Sequence, residues 1–242
     1  MARHSLMTKG QLLKIVRIFK FITRRQLEEF FYGKERRSKA LEQILPELER
    51  AGSLKSIRHK GSKVYFLPRK NGKITNYLEH EVACTEILIR LWRCRMEESE
   101  IMPERVFRGN YIVPDFGLRF SESRGTMLLG EFCTENNFNH GGVVKSKITR
   151  YIKGLSAIEE KAEREATVLF VIDAKRQKIV EFIRRMETVL EDATISDSTG
   201  EARYPFFFTD YESFLSVPIG KALTSRIYFW HDGKEWALTN HD

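Results

Sequence analysis

Three segments near the start of the chain carry hydrophobic residues at the three-to-four-residue spacing of amphipathic helices. Their apolar positions are Leu12, Leu13, Ile15, Val16, Ile18 and Phe19, then Leu27, Phe30 and Phe31, then Leu41, Ile44, Leu45 and Leu48. Thr23, with Gln26 three residues later, predicts a capping box at the start of the second helix. Gly52 predicts the end of the third helix, and Pro46 inside that helix predicts a bend or a break.

Two short β-strands follow the third helix. Residues 54–58 and 63–67 have strand-like composition and flank the segment 59–62, in which Gly61 suits a turn. The order helix, helix, helix, hairpin is typical of a winged helix-turn-helix. Because residues 68–73 are polar and rich in helix-breaking residues, they predict a domain boundary. We therefore expect a winged helix-turn-helix domain over residues 1–70 and a second domain over residues 71–242.

The second domain alternates between helical and strand-like patterns. We expect helices over 76–96, 143–164 and 175–190, and strands over 106–113, 116–120, 126–132, 167–172, 204–209, 227–230 and 235–238. The run 167–172 is almost entirely apolar, as in a strand that is buried on both faces. This order predicts a mixed sheet flanked by helices, and so an α+β fold for the whole chain.

Charge is distributed unevenly between the two predicted domains. Residues 1–75 hold 19 Lys and Arg against six Asp and Glu, a net charge of +13, whereas the remaining residues hold 22 against 27. An asymmetry of this size indicates a polyanionic partner for the first domain. Because the same segment has a helix-turn-helix pattern, we expect that partner to be double-stranded DNA.

Ten residues of the first domain are candidates for contact with DNA. They are Arg24, Arg25, Arg36, Arg37, Lys39, Gln43, Arg58, His59, Lys60 and Lys63. Those at the start of the third helix suit base edges, with Gln43 as a base reader one turn later. Those at the hairpin tip suit phosphates or the minor groove, and the pair that opens the second helix suits a phosphate.

Two carboxylates of the second domain are candidates for a metal site. Asp115 follows Pro114 at the start of a predicted strand, and Glu131 lies in the next strand across a short turn. Neighbouring antiparallel strands could bring both carboxylates to one edge, where they could share a divalent cation such as Mg²⁺. The alternatives are a strand-start role for Asp115 and a structural salt bridge from Glu131 to Lys147.

This placement resembles the PD-(D/E)xK nuclease fold, in which an acid, a spacer and a lysine follow the Pro-Asp strand. The resemblance implies a mixed α/β nuclease-like domain with Asp115, Glu131 and a lysine as catalytic residues. Cys133 stands at the lysine position, and Lys147 on the following helix could replace it. That helix also carries Lys145, Arg150 and Tyr151, spaced to face phosphate, and we count Lys145 and Arg150 among the DNA-binding candidates.

The combination of a winged helix, a helix around His80-Glu81, Pro-Asp, a strand glutamate and a Lys-x-x-Arg-Tyr helix resembles the replication-relaxation family. The resemblance covers roughly residues 10–210. It implies DNA binding in the replication or maintenance of a plasmid or another mobile element. Because Cys133 departs from the nuclease pattern, we expect the nuclease-like domain to be non-catalytic.

Two alternatives to this function remain open: a Mg²⁺-dependent endonuclease targeted by its winged helix, and a transcriptional regulator with a C-terminal sensing or oligomerising domain. A homodimer and contacts with replication or transcription proteins also remain open. The three cysteines lack metal-site spacing, and no apolar run reaches the ~18 residues of a membrane span. We therefore expect reduced thiols, no membrane partner and a cytoplasmic location.

Overall fold

The structure is a computed structural model of the 242-residue chain. It describes residues 8–32, 38–68, 77–94, 99–102, 112–120, 126–139, 142–162, 165–186, 189–190, 195–196, 202–203, 205–218, 221, 227–229 and 235–236. Within these ranges the fold is mixed α+β, and the chain divides into two compact units, Met1–Ile89 and Arg90–Asp242. This division falls inside a helix, later in the chain than the polar segment 68–73, of which residues 69–73 lie outside the described ranges.

The first unit contains three helices and a small antiparallel sheet, followed by a fourth helix that continues into the second unit. In chain order these elements are α1 (Lys9–Phe19), β1 (Ile22–Thr23), α2 (Arg24–Tyr32), α3 (Lys39–Arg50), β2 (Lys55–His59), β3 (Ser62–Phe66) and α4 (Leu78–Cys94). The three strands lie in the order β1-β3-β2. The two-residue strand β1 adds a third strand that the hydrophobic pattern did not indicate.

Local side chains define the helix ends of the first unit. The expected capping box of α2 is confirmed: the Thr23 backbone N–H donates to Gln26 Oε1 at 2.9 Å, and the Gln26 N–H donates to Thr23 Oγ1 at 3.2 Å. Helix α3 begins after Ser38, whose hydroxyl accepts from the Leu41 N–H. It continues through Pro46 as one helix, so the expected alternative of a break is wrong. Pro46 lies on the exposed side of α3, where water can satisfy the carbonyl that loses its N–H donor.

The hairpin between β2 and β3 has a two-residue turn. Lys60 and Gly61 both have positive φ, 46° and 77°, the left-handed region that such turns require. The strands pair in register from Lys55 opposite Phe66 to His59 opposite Ser62. The tip therefore extends beyond the sheet with Arg58 and Lys60 exposed.

The second unit is built on a seven-stranded mixed sheet. Its strands are β4 (Ser99–Ile101), β5 (Phe116–Phe120), β6 (Met127–Cys133), β7 (Ala166–Ile172), β10 (Phe206–Asp210), β11 (Ile227–Phe229) and β12 (Glu235–Trp236). They lie in the order β12-β11-β10-β7-β6-β5-β4. Strands β8 (Ile195–Ser196) and β9 (Ala202–Arg203) form a separate pair. The helices are α5 (Glu135–Asn139), α6 (Gly142–Ala162), α7 (Arg176–Arg185) and α8 (Tyr211–Ser216).

Strands β6, β7 and β10 are parallel, whereas the outer strands pair antiparallel. Helix α6 connects β6 to β7, and α7 connects β7 to β10, so each crossover is helical as expected for parallel neighbours. Most of the expected strand over 106–113 lies outside the described ranges, which exclude residues 103–111. Among the helices of the described ranges, none is long and apolar enough to cross a membrane.

Candidate functional site

The register of β5 and β6 places two carboxylates side by side. Phe116 pairs with Gly130 at the end of the β5–β6 ladder, and Asp115 and Glu131 are the next residues along the two strands. The Asp115 N–H donates to the Gly130 carbonyl at 2.9 Å and holds the two chains together at this position. Because successive side chains alternate between the faces of a sheet, both carboxylates leave the face opposite to the Phe116 ring, which explains why they reach one place.

Helix α6 supplies a lysine to the same place. Lys147 Nζ lies 3.4 Å from Asp115 Oδ2 and donates a hydrogen bond to Glu131 Oε2. The structure thus brings together Asp115, Glu131 and Lys147, the three candidate catalytic residues. Lys147 arrives from a helix that packs on the sheet and not from the strand of Glu131.

Tyr151 holds the other oxygen of Glu131. Its hydroxyl donates to Glu131 Oε1 at 2.7 Å, and the side chain is completely buried. Lys147 and Tyr151 are four residues apart and therefore lie on the same face of α6. The expectation that Tyr151 faces phosphate is wrong, because its ring packs against Phe170 and Phe206 inside the core.

Burial dominates the electrostatics of this cluster. Glu131 is only 2% exposed, and this burial, reinforced by the Asp115 carboxylate, raises the pKa of Glu131 to about 7 against the opposing effects of Lys147 and Tyr151. Burial lowers the pKa of Lys147, but the adjacent carboxylates more than offset it, so that its pKa lies above the usual value. The ammonium of Lys147 therefore remains charged while Glu131 can exchange a proton near neutral pH.

Asp115 is oriented by the backbone of the neighbouring strand. The Phe132 N–H donates to Asp115 Oδ2 at 2.9 Å, the same oxygen that faces Lys147. On the opposite face, the Phe116 ring covers Gly130 so closely that a Cβ there would lie 1.7 Å from a ring carbon. The absence of a side chain at position 130 thus lets β5 approach β6 at the carboxylate pair.

Cys133, which stands at the lysine position of the nuclease pattern, is a core residue. It is 1% exposed and belongs to the same apolar cluster as Val144 and Ile148 of α6. Burial raises the pKa of its thiol to about 12. Because burial keeps the thiol protonated, this position does not supply a nucleophilic thiolate.

The α3 and hairpin candidates lie at the surface of the first unit. Lys39 and Gln43 are exposed on α3, and Arg58 is exposed on β2 with His59 partly buried beside it. Lys39 and Arg58 make no ion pair with any residue that the structure describes. Arg36 and Arg37 lie outside the described residues.

Four other candidates are paired with carboxylates of the same unit. Arg24 binds Glu28 at 2.9 Å and Glu42 at 2.8 Å, and Arg25 binds Glu29 at 3.2 Å and Glu86 at 2.9 Å. Lys60 binds Glu79, and Lys63 binds Glu49 at 2.6 Å while its ammonium lies over the Tyr65 ring. The Glu42 hydrogen bond is the main reason why the pKa of Arg24 is raised.

On α6, Lys145 and Arg150 are exposed beside the partly buried Lys147. Helix α6 therefore carries positive charge on its exposed side as well as at the carboxylate cluster. Compared with models of known protein families and with curated protein sequences, the chain shows no significant match.

Proposed function

We propose that this protein binds double-stranded DNA through its N-terminal unit, as a winged helix-turn-helix protein does. The observation that carries the proposal is the exposure of Lys39 and Gln43 on α3 together with Arg58 on the hairpin, in a segment of net charge +13. Helix α3 has the place of a recognition helix in the order of elements, and the β2–β3 hairpin has the place of the wing.

The proposed contacts divide by chemistry. The Gln43 amide can bind a base edge in the major groove through two hydrogen bonds, whereas Lys39 and Arg58 neutralise phosphates. Arg24 and Lys60 already bind carboxylates, so a phosphate must compete with those partners. We therefore expect Lys39 and Arg58 to contribute more to affinity than Arg24 and Lys60.

The test is the salt dependence of duplex binding by the full chain, measured by fluorescence anisotropy. Each phosphate contact releases condensed counterions, so Lys39→Ala with Arg58→Ala should reduce the slope of log affinity against log salt by about two. Lys14→Ala with Arg17→Ala is the matched control, since it removes two exposed cations from α1 of the same unit. Equal slopes for both double variants, or no binding at all, would refute the proposal.

We propose further that the second unit is a nuclease-like scaffold of the PD-(D/E)xK type. The support is the convergence of Asp115, Glu131 and Lys147 beside a strand pair with Pro-Asp at its start. Asp115 Oδ2 and Glu131 Oε2 both contact one ammonium, so two hard oxygen ligands already face one point and fit a divalent cation. A bound Mg²⁺ would supply Lewis-acid stabilisation of phosphate charge.

Lys147 is the reason why we propose a non-catalytic role for this scaffold. Its ammonium bridges the two carboxylates and so neutralises the charge that would attract a cation. Cys133, buried among apolar side chains, offers no second ammonium. The second candidate function is metal-dependent DNA cleavage, and it is favoured by the same convergence, because Lys147 stands where a catalytic lysine is needed.

A plasmid cleavage assay with Mg²⁺ or Mn²⁺ distinguishes the non-catalytic scaffold from the metal-dependent endonuclease. The natural protein is compared with Asp115→Ala, with Lys147→Ala, and with Glu160→Ala as a control at an exposed glutamate of α6. No cleavage while DNA binding persists is the expected result for the non-catalytic scaffold. Nicking that the two site variants abolish and the control retains would establish the endonuclease instead.

The biological setting is proposed from the resemblance to the replication-relaxation family. We propose that the bound DNA belongs to a plasmid or another mobile element and that binding serves its replication or maintenance. Selection of bound fragments from a mixture of chromosomal and plasmid DNA tests this directly. Enrichment of fragments near a replication origin is expected, and uniform recovery of all fragments would contradict it.

A further inference from the structure

Two helices of the second unit cover the same face of its sheet. Tyr151 of α6 contacts the Phe170 ring, and Phe182 of α7 contacts the Phe208 ring. Phe170 and Phe208 are paired neighbours on the parallel strands β7 and β10, so their side chains point to the same face. The outward sides of α6 and α7 therefore belong to one surface of the unit.

This surface is strongly basic although the unit is not. Residues 90–242 hold 22 Lys and Arg against 24 Asp and Glu. Between residues 175 and 185 there are five basic residues and one acidic residue, Glu181, and the acidic residues of α6 are confined to Glu159 and Glu160 near its end. The exposed basic residues are Lys145, Arg150, Lys153, Lys175, Arg176, Lys178, Arg184 and Arg185.

Two of these basic residues form ion pairs with exposed carboxylates of the unit. Lys178 lies 3.7 Å from Glu135, and Arg185 lies 3.8 Å from Glu181, in both cases between exposed side chains that water screens. Arg184 and Lys175 make no ion pair within the part of the chain that the structure describes. Such a concentration of exposed positive charge is typical of a surface that binds a polyanion.

We propose that the outer face of α6 and α7 is a second contact surface for the phosphate backbone of duplex DNA. It lies on a different unit from α3 and the β2–β3 hairpin, and it rests on the proposed function only in that duplex DNA is the ligand. The exposed positions of α7 between 176 and 185 are all polar, and its apolar residues Ile179 and Ile183 are packed into the core. A membrane-surface helix would instead present an apolar face to insert.

The surface also adjoins the carboxylate cluster. Arg150 lies three residues after Lys147 and therefore on the same side of α6, so a DNA backbone that contacts Arg150 would pass near Asp115 and Glu131. Phosphates carry no sequence information, and this surface is therefore expected to add affinity without adding sequence preference.

The experiment compares full-length variants in the salt dependence of duplex binding. Arg184→Ala with Arg185→Ala should reduce the slope of log affinity against log salt by about two, at about one per phosphate contact. Arg184→Lys with Arg185→Lys should preserve the slope, because the charges are retained. Arg119→Ala with Lys221→Ala is the matched control, since it removes two exposed cations elsewhere in the same unit.

The salt dependence and a vesicle-binding measurement together distinguish a second DNA surface from the alternatives. A lower slope only for the Arg184/Arg185 alanine variant, with unchanged tryptophan fluorescence, supports the second surface. An unchanged slope overturns it, and the proposed function then still stands if Lys39→Ala with Arg58→Ala lowers the slope. A loss of binding to vesicles of anionic phospholipid, with the DNA slope unchanged, would also overturn the proposal in favour of a lipid surface.

Discussion

Glu131→Gln tests the electrostatics of the carboxylate cluster. In the folded protein burial raises the pKa of Glu131 from 4.5 to about 7. Between these pH values the folded chain binds a proton that the unfolded chain has lost, so the unfolding free energy falls as pH rises. A glutamine has nearly the same shape but does not titrate, so the unfolding free energy of the variant should not show this decrease with pH.

The size of the effect follows from the pKa difference. A shift from 4.5 to about 7, at about 1.4 kcal/mol per unit, corresponds to about 3 kcal/mol of unfolding free energy. We therefore expect the variant to gain about 3 kcal/mol relative to the natural protein as pH rises from 4.5 to 7. With a typical urea dependence, this is a relative shift of about 1 to 2 M in the unfolding midpoint.

Urea unfolding followed by tryptophan fluorescence is the suitable assay. All three tryptophans of the chain, Trp92, Trp230 and Trp236, belong to the second unit, so the signal reports on the unit that contains Glu131. Glu160→Gln, at an exposed position of the same helix as Lys147, is the matched control. If the difference between Glu131→Gln and the natural protein does not change with pH, the reasoning about burial is refuted.

Three further predictions concern the surroundings of this site. Gly130→Ala should destabilise the second unit by about 1 to 3 kcal/mol in the same unfolding assay, because its Cβ would overlap the Phe116 ring, and Phe116→Ala should relieve part of that loss. Tyr151→Phe should lower the unfolding free energy by about 1 to 3 kcal/mol, since it leaves the buried Glu131 Oε1 without its hydroxyl donor. If Tyr151→Phe causes an equal loss in the Glu131→Gln variant, the stabilisation does not depend on the Tyr151–Glu131 hydrogen bond. Cys133 should resist thiol reagents at pH 8 until urea unfolds the chain, because burial raises its pKa to about 12, and mass spectrometry of partly labelled protein would detect any early modification.

Chain-local signals predicted the elements of the first unit closely. The capping box of Thr23 and Gln26 and the turn at Gly61 both involve residues within a few positions of each other. Such contacts form in any context that allows the local backbone conformation, so a sequence pattern is sufficient to recognise them. Strand β1 escaped detection because two residues carry no periodicity, and its place depends on pairing with β3.

The candidate site was predictable as a set of residues but not as an arrangement. The short connection from β5 to β6 indicated that Asp115 and Glu131 share an edge, yet their meeting on one face depends on the register that pairs Phe116 with Gly130. A slip of one residue would have turned one carboxylate to the other face. The helical spacing of Lys147 and Tyr151 could have indicated that both face Glu131.

The sequence by itself determined the helical spacing of hydrophobic residues, the helix caps, the hairpin turn at Gly61 and the uneven distribution of charge. These features depend on residues that are near one another along the chain. Only the tertiary structure decided that Tyr151 is buried beneath Glu131, that Cys133 belongs to the core and that Arg24 binds Glu42. Each of these depends on which helix packs against which strand or helix, and many packings satisfy the same local pattern. The free energy of burying a charge, which sets the pKa of Glu131, exists only after that packing has excluded water.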